Sequence, residues 1–369
     1  INLETDKFEC INYFFEAIDH VGADYRTGIY RPPKMVLHHE NIYLTQRSNY
    51  PPFTIVFFTP LQLMTEDGAY LVVVLLLYLS NILTIALTAA IIREVLFKPL
   101  GLGEPASSLL SLFFFTALLF YVFSSYPFMF AIERGNYDSI AMFFAVWAIY
   151  LVIKKPDSLW AQVILLSIAT HLKIYPAVLF LVLLIRHGKR LILPTLLVNI
   201  ILLLSLGFNN AIYFLEVIYK YSLDPAIWVG NHSGASFAVY LAETYPKLAE
   251  LLPKLKLGLS ILPILVWGLS SYLCIRNMKS GVRIAALLMV SVPLMCLLPT
   301  TSHDYKLVIL GASLLILFAL LTYNIIHHSG FWDYAQMLLA LVLSFFIARS
   351  YVIMPPALQA ITNKYPLIF

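Results

Sequence analysis

The sequence predicts an all-α integral membrane protein, a polytopic helical bundle with broken or re-entrant helices and long extracytoplasmic loops. Three observations predict it. The 369 residues are 60% hydrophobic and only 12% charged, with a mean hydropathy of +0.83, whereas a soluble domain carries about 25% charged residues. Apolar runs recur that approach the roughly 20 residues a helix needs to cross the hydrocarbon core. Lysine and arginine gather in loops that all fall on one side, as the positive-inside bias of membrane topology requires. No basic cluster reads as a nucleic-acid surface, so nucleic acid is not expected among the partners. Cys10, Cys274 and Cys296 are too few and too scattered for a disulfide framework or a metal site.

In chain order, residues 1–51 form a first polar loop holding Glu4, Asp6, Asp19 and Asp24. The run 52–64, with Pro51, Pro52 and Pro60, is too short to span and predicts a partly inserted helix. Spans are predicted at 69–92, 106–124, 138–153, 191–207, 258–275, 284–299, 307–326 and 332–349. Between them, 159–185 is interrupted by His171, Lys173 and Pro176, and predicts two short helices meeting at a polar break. No internal repeat is visible, so residues 1–369 read as one membrane domain whose second long loop is 208–257.

Arg93 and Lys98, Lys154 and Lys155, Arg186, Lys189 and Arg190, and Arg276, Lys279 and Arg283 then all lie on one side. That side is expected to be cytoplasmic, in a multi-pass protein of the plasma (inner) membrane. The segments rich in Asp, His, Asn and Tyr fall on the opposite, extracytoplasmic face. The same parity puts Ile1 outside, which predicts a preceding signal anchor or first helix.

Four polar constellations could carry chemistry there, beside the loop aspartates. In Glu133-Arg134-Gly135-Asn136-Tyr137-Asp138, Asp138 is expected to cap the following helix, and Arg134 is placed to meet an anion at membrane level. A charged turn with a capping residue explains this stretch as well. In His171-Leu172-Lys173-Ile174-Tyr175-Pro176, a lysine inside an apolar hairpin would cost about 2.5–3.5 kcal/mol at mid-bilayer. Its place at a proline break rather than at a tapering helix end points to a cavity, and to a phosphate. Gly230 to Ser236 is dense in hydrogen-bonding groups suited to sugar hydroxyls, and Asn231-His232-Ser233 also fits a glycosylation sequon. In Thr300 to Lys306, His303 could bind a phosphate or stack near a sugar, although a plain polar turn is the simpler explanation. No metal-ligand spacing and no Walker-type phosphate loop is present. A sugar transfer would also need a carboxylate to take the acceptor's proton, for which Asp6, Asp19 and Asp24 are the candidates.

Taken in order, Tyr50-Pro51-Pro52 with Pro60-Leu61, Arg134-Gly135-Asn136 with Asp138, Leu172-Lys173-Ile174-Tyr175-Pro176, Asn231-His232-Ser233 and Ser302-His303-Asp304-Tyr305 resemble the motif series of the GT-C glycosyltransferases. The resemblance is to their family 87 polyprenol-phosphate-mannose-dependent mannosyltransferases. It implies a GT-C-type bundle and an inverting transfer of a sugar, usually mannose, from a polyprenyl-phosphate donor to a lipid or glycan acceptor, with no cofactor or metal. By the same resemblance an aspartate of the first loop is the base, a role that falls to Asp6 with Asp19 and Asp24 as fallbacks. Lys173, His303 and Arg134 would contact the donor phosphate. Asn136, Asp138, Tyr175, Asn231, His232, Ser233, Asp304 and Tyr305 would line the substrate site, with His232 standing where the family usually has glutamine.

Two other readings share the composition. A transporter or flippase of a lipid-linked sugar would also be polytopic, but such proteins often show inverted repeats and midplane ion sites, whereas here ionisable residues gather at one face. A non-catalytic membrane subunit would use Lys173 and the loop aspartates for stability alone.

Overall fold

The computed structural model describes residues 22–45, 48–101, 103–223 and 231–348. Asp24 leads into a π-helical turn, Tyr25–Tyr30, that continues as α1 (Arg31–Leu37), with Pro32 and Pro33 in the first turn, where a missing N–H costs nothing. The Asn41 side chain accepts from the Tyr43 amide at 3.0 Å and starts α2 (Ile42–Thr45). The proline-rich run forms α3 (Pro52–Phe58) and a 3₁₀ turn Thr59–Leu63, too short to span, as expected.

Thr65 caps α4 (Glu66–Ile92) by accepting from the Gly68 amide, and Glu66 and Asp67 lie in its first turn, favourably placed against the helix dipole. α5 (Glu104–Phe123) follows, then α6 (Tyr126–Arg134) and α7 (Asp138–Lys154), which meet at 115°. The expected broken hairpin is α8 (Leu159–Leu172), a 3₁₀ turn Tyr175–Leu179 and α9 (Phe180–His187). α10 (Ile192–Leu203) and α11 (Phe208–Leu223) come next, the run through α10 turning by 96° into α11. α12 (Gly234–Thr244), α13 (Leu252–Asn277), α14 (Ser280–Leu297), α15 (Leu310–His327) and α16 (Phe331–Ala348) complete the described chain.

Among the described residues six helical runs are long and apolar enough to cross a membrane, or up to eight if each bent pair counts as one span. The protein is a polytopic helical membrane protein. Two expectations need correction. The segments 138–153 and 191–207 are not independent straight spans but arms of bent pairs. The stretch 208–257 is largely helical, because Phe208–Leu223 is amphipathic and Gly234–Thr244 has its own cap at Ser233.

The main core is shared by α4, α7, α14 and α15. Ala141, Ala145 and Ala148 on α7 are fully buried, small side chains that let neighbouring helices approach closely. α13 and α16 instead expose leucines and valines along most of their length.

α7 also joins two polar ends of the bundle. Its 17 residues correspond to roughly 25 Å at the usual helical rise. At its C-terminus Lys154 pairs with Glu94 at 2.6 Å, Glu94 pairs with Lys98 at 3.1 Å, and Glu104 pairs with Lys98 at 3.2 Å and with Arg93. At its N-terminus lies the site described next.

Candidate active site

The site starts at the break in the hairpin. α8 ends at Leu172, Lys173 is extended, and Pro176 opens the following 3₁₀ turn. Carbonyls freed at such a break need donors, because no water reaches them at membrane depth. Thr54 of α3 supplies one, its hydroxyl donating to the His171 carbonyl at 2.7 Å and lying 3.3 Å from that of Leu172. The short α3 thus ties down the end of α8 at the break. The ammonium of Lys173 lies 3.1 Å from Asp138 Oδ1 and over the rings of Tyr137 and Tyr50, 4.2 and 4.8 Å from their centroids.

The turn from α6 to α7 is built around Gly135. Its φ of +64° is left-handed, and a Cβ there would stand 2.5 Å from the Cβ of Tyr25. Glycine satisfies both demands. Tyr137 holds the N-cap position of α7 without a side-chain cap, and Asn136 before it satisfies the first amide, its Oδ1 accepting from the Asp138 N–H at 3.1 Å. The expected capping role of Asp138 is therefore corrected. Its carboxylate is 1% exposed, bonds no backbone amide, and has Lys173 as its counterion.

Across this turn stands Asp24. Arg134 donates to its Oδ1 from Nε at 3.1 Å and from a terminal nitrogen at 2.7 Å, and the Asn136 amide donates to Oδ2 at 3.0 Å. A carboxylate has about four lone-pair sites, so one remains on Oδ2. Arg134 therefore acts on Asp24. Asp6 and Asp19 lie outside the described residues.

The remaining wall is formed by 231–236 packed on 300–306. Asn231 donates to the Thr300 carbonyl at 3.0 Å and accepts from the Ser302 and Ser233 amides at 2.9 and 3.1 Å. The Ser233 hydroxyl donates to the Thr300 carbonyl at 2.8 Å and accepts from the Ser236 amide at 3.1 Å, capping α12. Both side chains are buried, so they build the wall, and Asn231 cannot serve as a glycan acceptor there. His232 meets Asp304 through Nε2, and Tyr126 donates to the other oxygen of Asp304 at 3.3 Å. His303 packs edge-on to Tyr305, which in turn packs on Phe130. Burial pushes the His303 imidazole down to about 4, so it is neutral at pH 7.

These pieces form one cluster. Asn136 joins Asp24 to the turn that carries Asp138, Lys173 joins Asp138 to the rings of Tyr50 and Tyr137, and Lys306 stands over Tyr175 in the same break. Tyr50 and Tyr137, which flank Lys173, and the buried Lys306 lie within the stretches singled out in the sequence but had no role assigned to them there. A lysine inside an apolar span is the signal that could have found Lys306. Among the described residues no group of three or more His, Cys, Asp and Glu is arranged to hold a metal. A site of this kind offers a fixed carboxylate, buried cations and aromatic walls, a combination suited to moving a proton at one point and holding an anion at another.

A family model described as Glycosyltransferase family 87 matches residues 49–300, more than half of the chain. Neither the curated proteins nor the solved structures yield a match.

Proposed function

The chain belongs to glycosyltransferase family 87 and is a membrane glycosyltransferase, and from that premise we propose that it moves a sugar from a polyprenyl-phosphate donor to a lipid or glycan acceptor with Asp24 as the base. The observation that carries this reading is the hold on Asp24. Arg134 and Asn136 fix its orientation and leave a lone pair on Oδ2, within electrostatic range of Lys173 and His303.

The acceptor hydroxyl gives its proton to Asp24, and its oxygen forms a bond to the anomeric carbon. The bond from that carbon to the phosphate oxygen breaks, its electron pair stays on the departing polyprenyl phosphate, and the configuration inverts. Lys173 stabilises the charge gathering on the phosphate, and neutral His303 can donate an N–H to it. A phosphate is already a good leaving group, so the chemistry requires no metal or cofactor. Mannose is the sugar we assign, on the strength of the motif resemblance alone.

The site is assigned to the extracytoplasmic face of the plasma membrane. Support comes from α7, which ends in Lys154 and its basic neighbours at the end opposite Asp138.

The test is transfer from radiolabelled polyprenyl-phosphate mannose by purified protein, comparing wild type with Asp24→Asn, Asp6→Asn and Asp19→Asn. Loss of transfer in Asp24→Asn alone is the expected result. Full activity in Asp24→Asn removes it as the base, and a folded wild type that translocates such lipids without transferring the sugar favours a flippase.

A further inference from the structure

We propose that Lys306 is a phosphate-binding residue, the group that receives the negative charge left on the polyprenyl phosphate as the sugar departs. This rests on the donor assigned above.

Lys306 is only 6% exposed, in the 3₁₀ turn Asp304–Ile309 that leads into α15. Its ammonium donates to the Thr301 carbonyl at 3.1 Å and lies 5.1 Å from the Tyr175 ring centroid. Among the described residues no carboxylate comes within 4.0 Å of it, in contrast to Lys173 with Asp138. An ammonium kept from water without a counterion costs several kcal/mol, so such groups persist where something else repays them. A lysine has three donors, and Thr301 takes one.

The same turn holds two more unclaimed groups. The hydroxyls of Thr301 and Ser302 are buried without a hydrogen-bond partner. The Tyr175 ring under the Lys306 ammonium belongs to the hairpin break two residues after Lys173, which puts Lys306 beside the donor site rather than apart from it. A charged donor whose one protein acceptor is the Thr301 carbonyl and two hydroxyls with none, all within six residues, suit an anion with several oxygens. A phosphate monoester has that form. The charge develops as the carbon–oxygen bond breaks, so a cation aimed at the leaving oxygen lowers the barrier as well as binding product.

The rival explanation is a lysine that merely closes the 301–306 turn. Thermal melting of purified protein, titrated with a polyprenyl phosphate, separates the two for Lys306→Met. The anion-site reading expects an unliganded melting temperature equal to or above wild type, because an uncompensated buried charge has been removed. It also expects at least a tenfold higher polyprenyl phosphate concentration for half-maximal stabilisation, and a lower kcat for transfer. Inorganic phosphate at the same concentration is expected to stabilise wild type far less, and equal stabilisation would overturn the lipid-phosphate assignment. Unchanged polyprenyl phosphate binding in Lys306→Met, or an unliganded protein that melts well below wild type, overturns the role of Lys306. A folded wild type that neither binds polyprenyl phosphate nor transfers from its sugar conjugates overturns the donor itself, a distinct result.

Discussion

The two ends of α7 carry the same kinds of residue under opposite conditions. Around Lys154, acids and bases are partly exposed, from 21% at Glu94 to 64% at Glu104, and each acid is shared by two cations. Around Asp138, the exposures fall to 1% for Asp138, 12% for Lys173 and 15% for Asp24. Water solvates the first group, while protein dipoles, rings and counterions must do so for the second. Replacing a buried ion pair by apolar residues is often neutral or stabilising, so fold stability alone gives little reason to keep one. A cluster of buried, incompletely matched charges is what the proposed transfer would use, and only one end of α7 carries it.

The largest expected effect tests that use directly. Asp24→Asn preserves shape and most hydrogen bonding but cannot accept a proton, so transfer should fall by about 10²–10⁴-fold, the usual contribution of a general base. Single-turnover transfer with a labelled donor reads it, and a loss below tenfold would make Asp24 a wall residue like Asn231.

Lys173→Met should come next. It leaves the Asp138 carboxylate buried without its counterion, which costs about 3–5 kcal/mol when a buried pair is broken from one side. The double variant Lys173→Met with Asp138→Asn should recover most of that stability but not transfer. If it recovered both, the pair would be structural only, and the contrast between the two ends would lose its functional meaning.

His303 sharpens the same contrast through pH. Its folded value of about 4 lies below the ordinary 6.5. As pH falls through 6.5 the unfolded chain takes the proton first, and the folded chain only near 4. The stability due to His303 is thus fully present above 6.5 and lost progressively between those values. Melting curves of wild type against His303→Gln should diverge in slope across that window, and parallel curves would mean that the imidazole is solvated.

Much of the frame was legible in the sequence because membrane burial is written in composition. The apolar runs, the basic loops and the break at Lys173-Ile174-Tyr175-Pro176 all follow from costs that a single segment carries by itself. What escaped depends on partners far apart in the chain. Nothing local to Asp24 says that Arg134 and Asn136 will hold it across more than a hundred residues. Asn231 and Ser233 looked like sugar-binding groups because their chemistry is right, but the carbonyl of Thr300 and the amide of Ser302 claim them first. Asp138 looked like a cap, yet its carboxylate reaches no amide of α7 and faces Lys173, while its own amide donates to Asn136 two residues earlier.

The smallest effects belong to the opposite end. Lys154→Met removes one of the two cations on Glu94, and Lys98 remains 3.1 Å from the acid. Glu94 is partly exposed, so water takes over the lost hydrogen bond, and the change should stay within about 1 kcal/mol, as for other exposed pairs. Transfer should be unaffected, because a helix length separates Lys154 from Asp138. High salt should shrink even this difference by screening exposed charges. The informative measurement pairs the melting temperatures of Lys154→Met and Lys173→Met in one membrane mimetic at low and high salt. A large, salt-insensitive loss at Lys154 would show that its pair with Glu94 is as desolvated as the one beside Asp138, and burial would no longer distinguish the two ends.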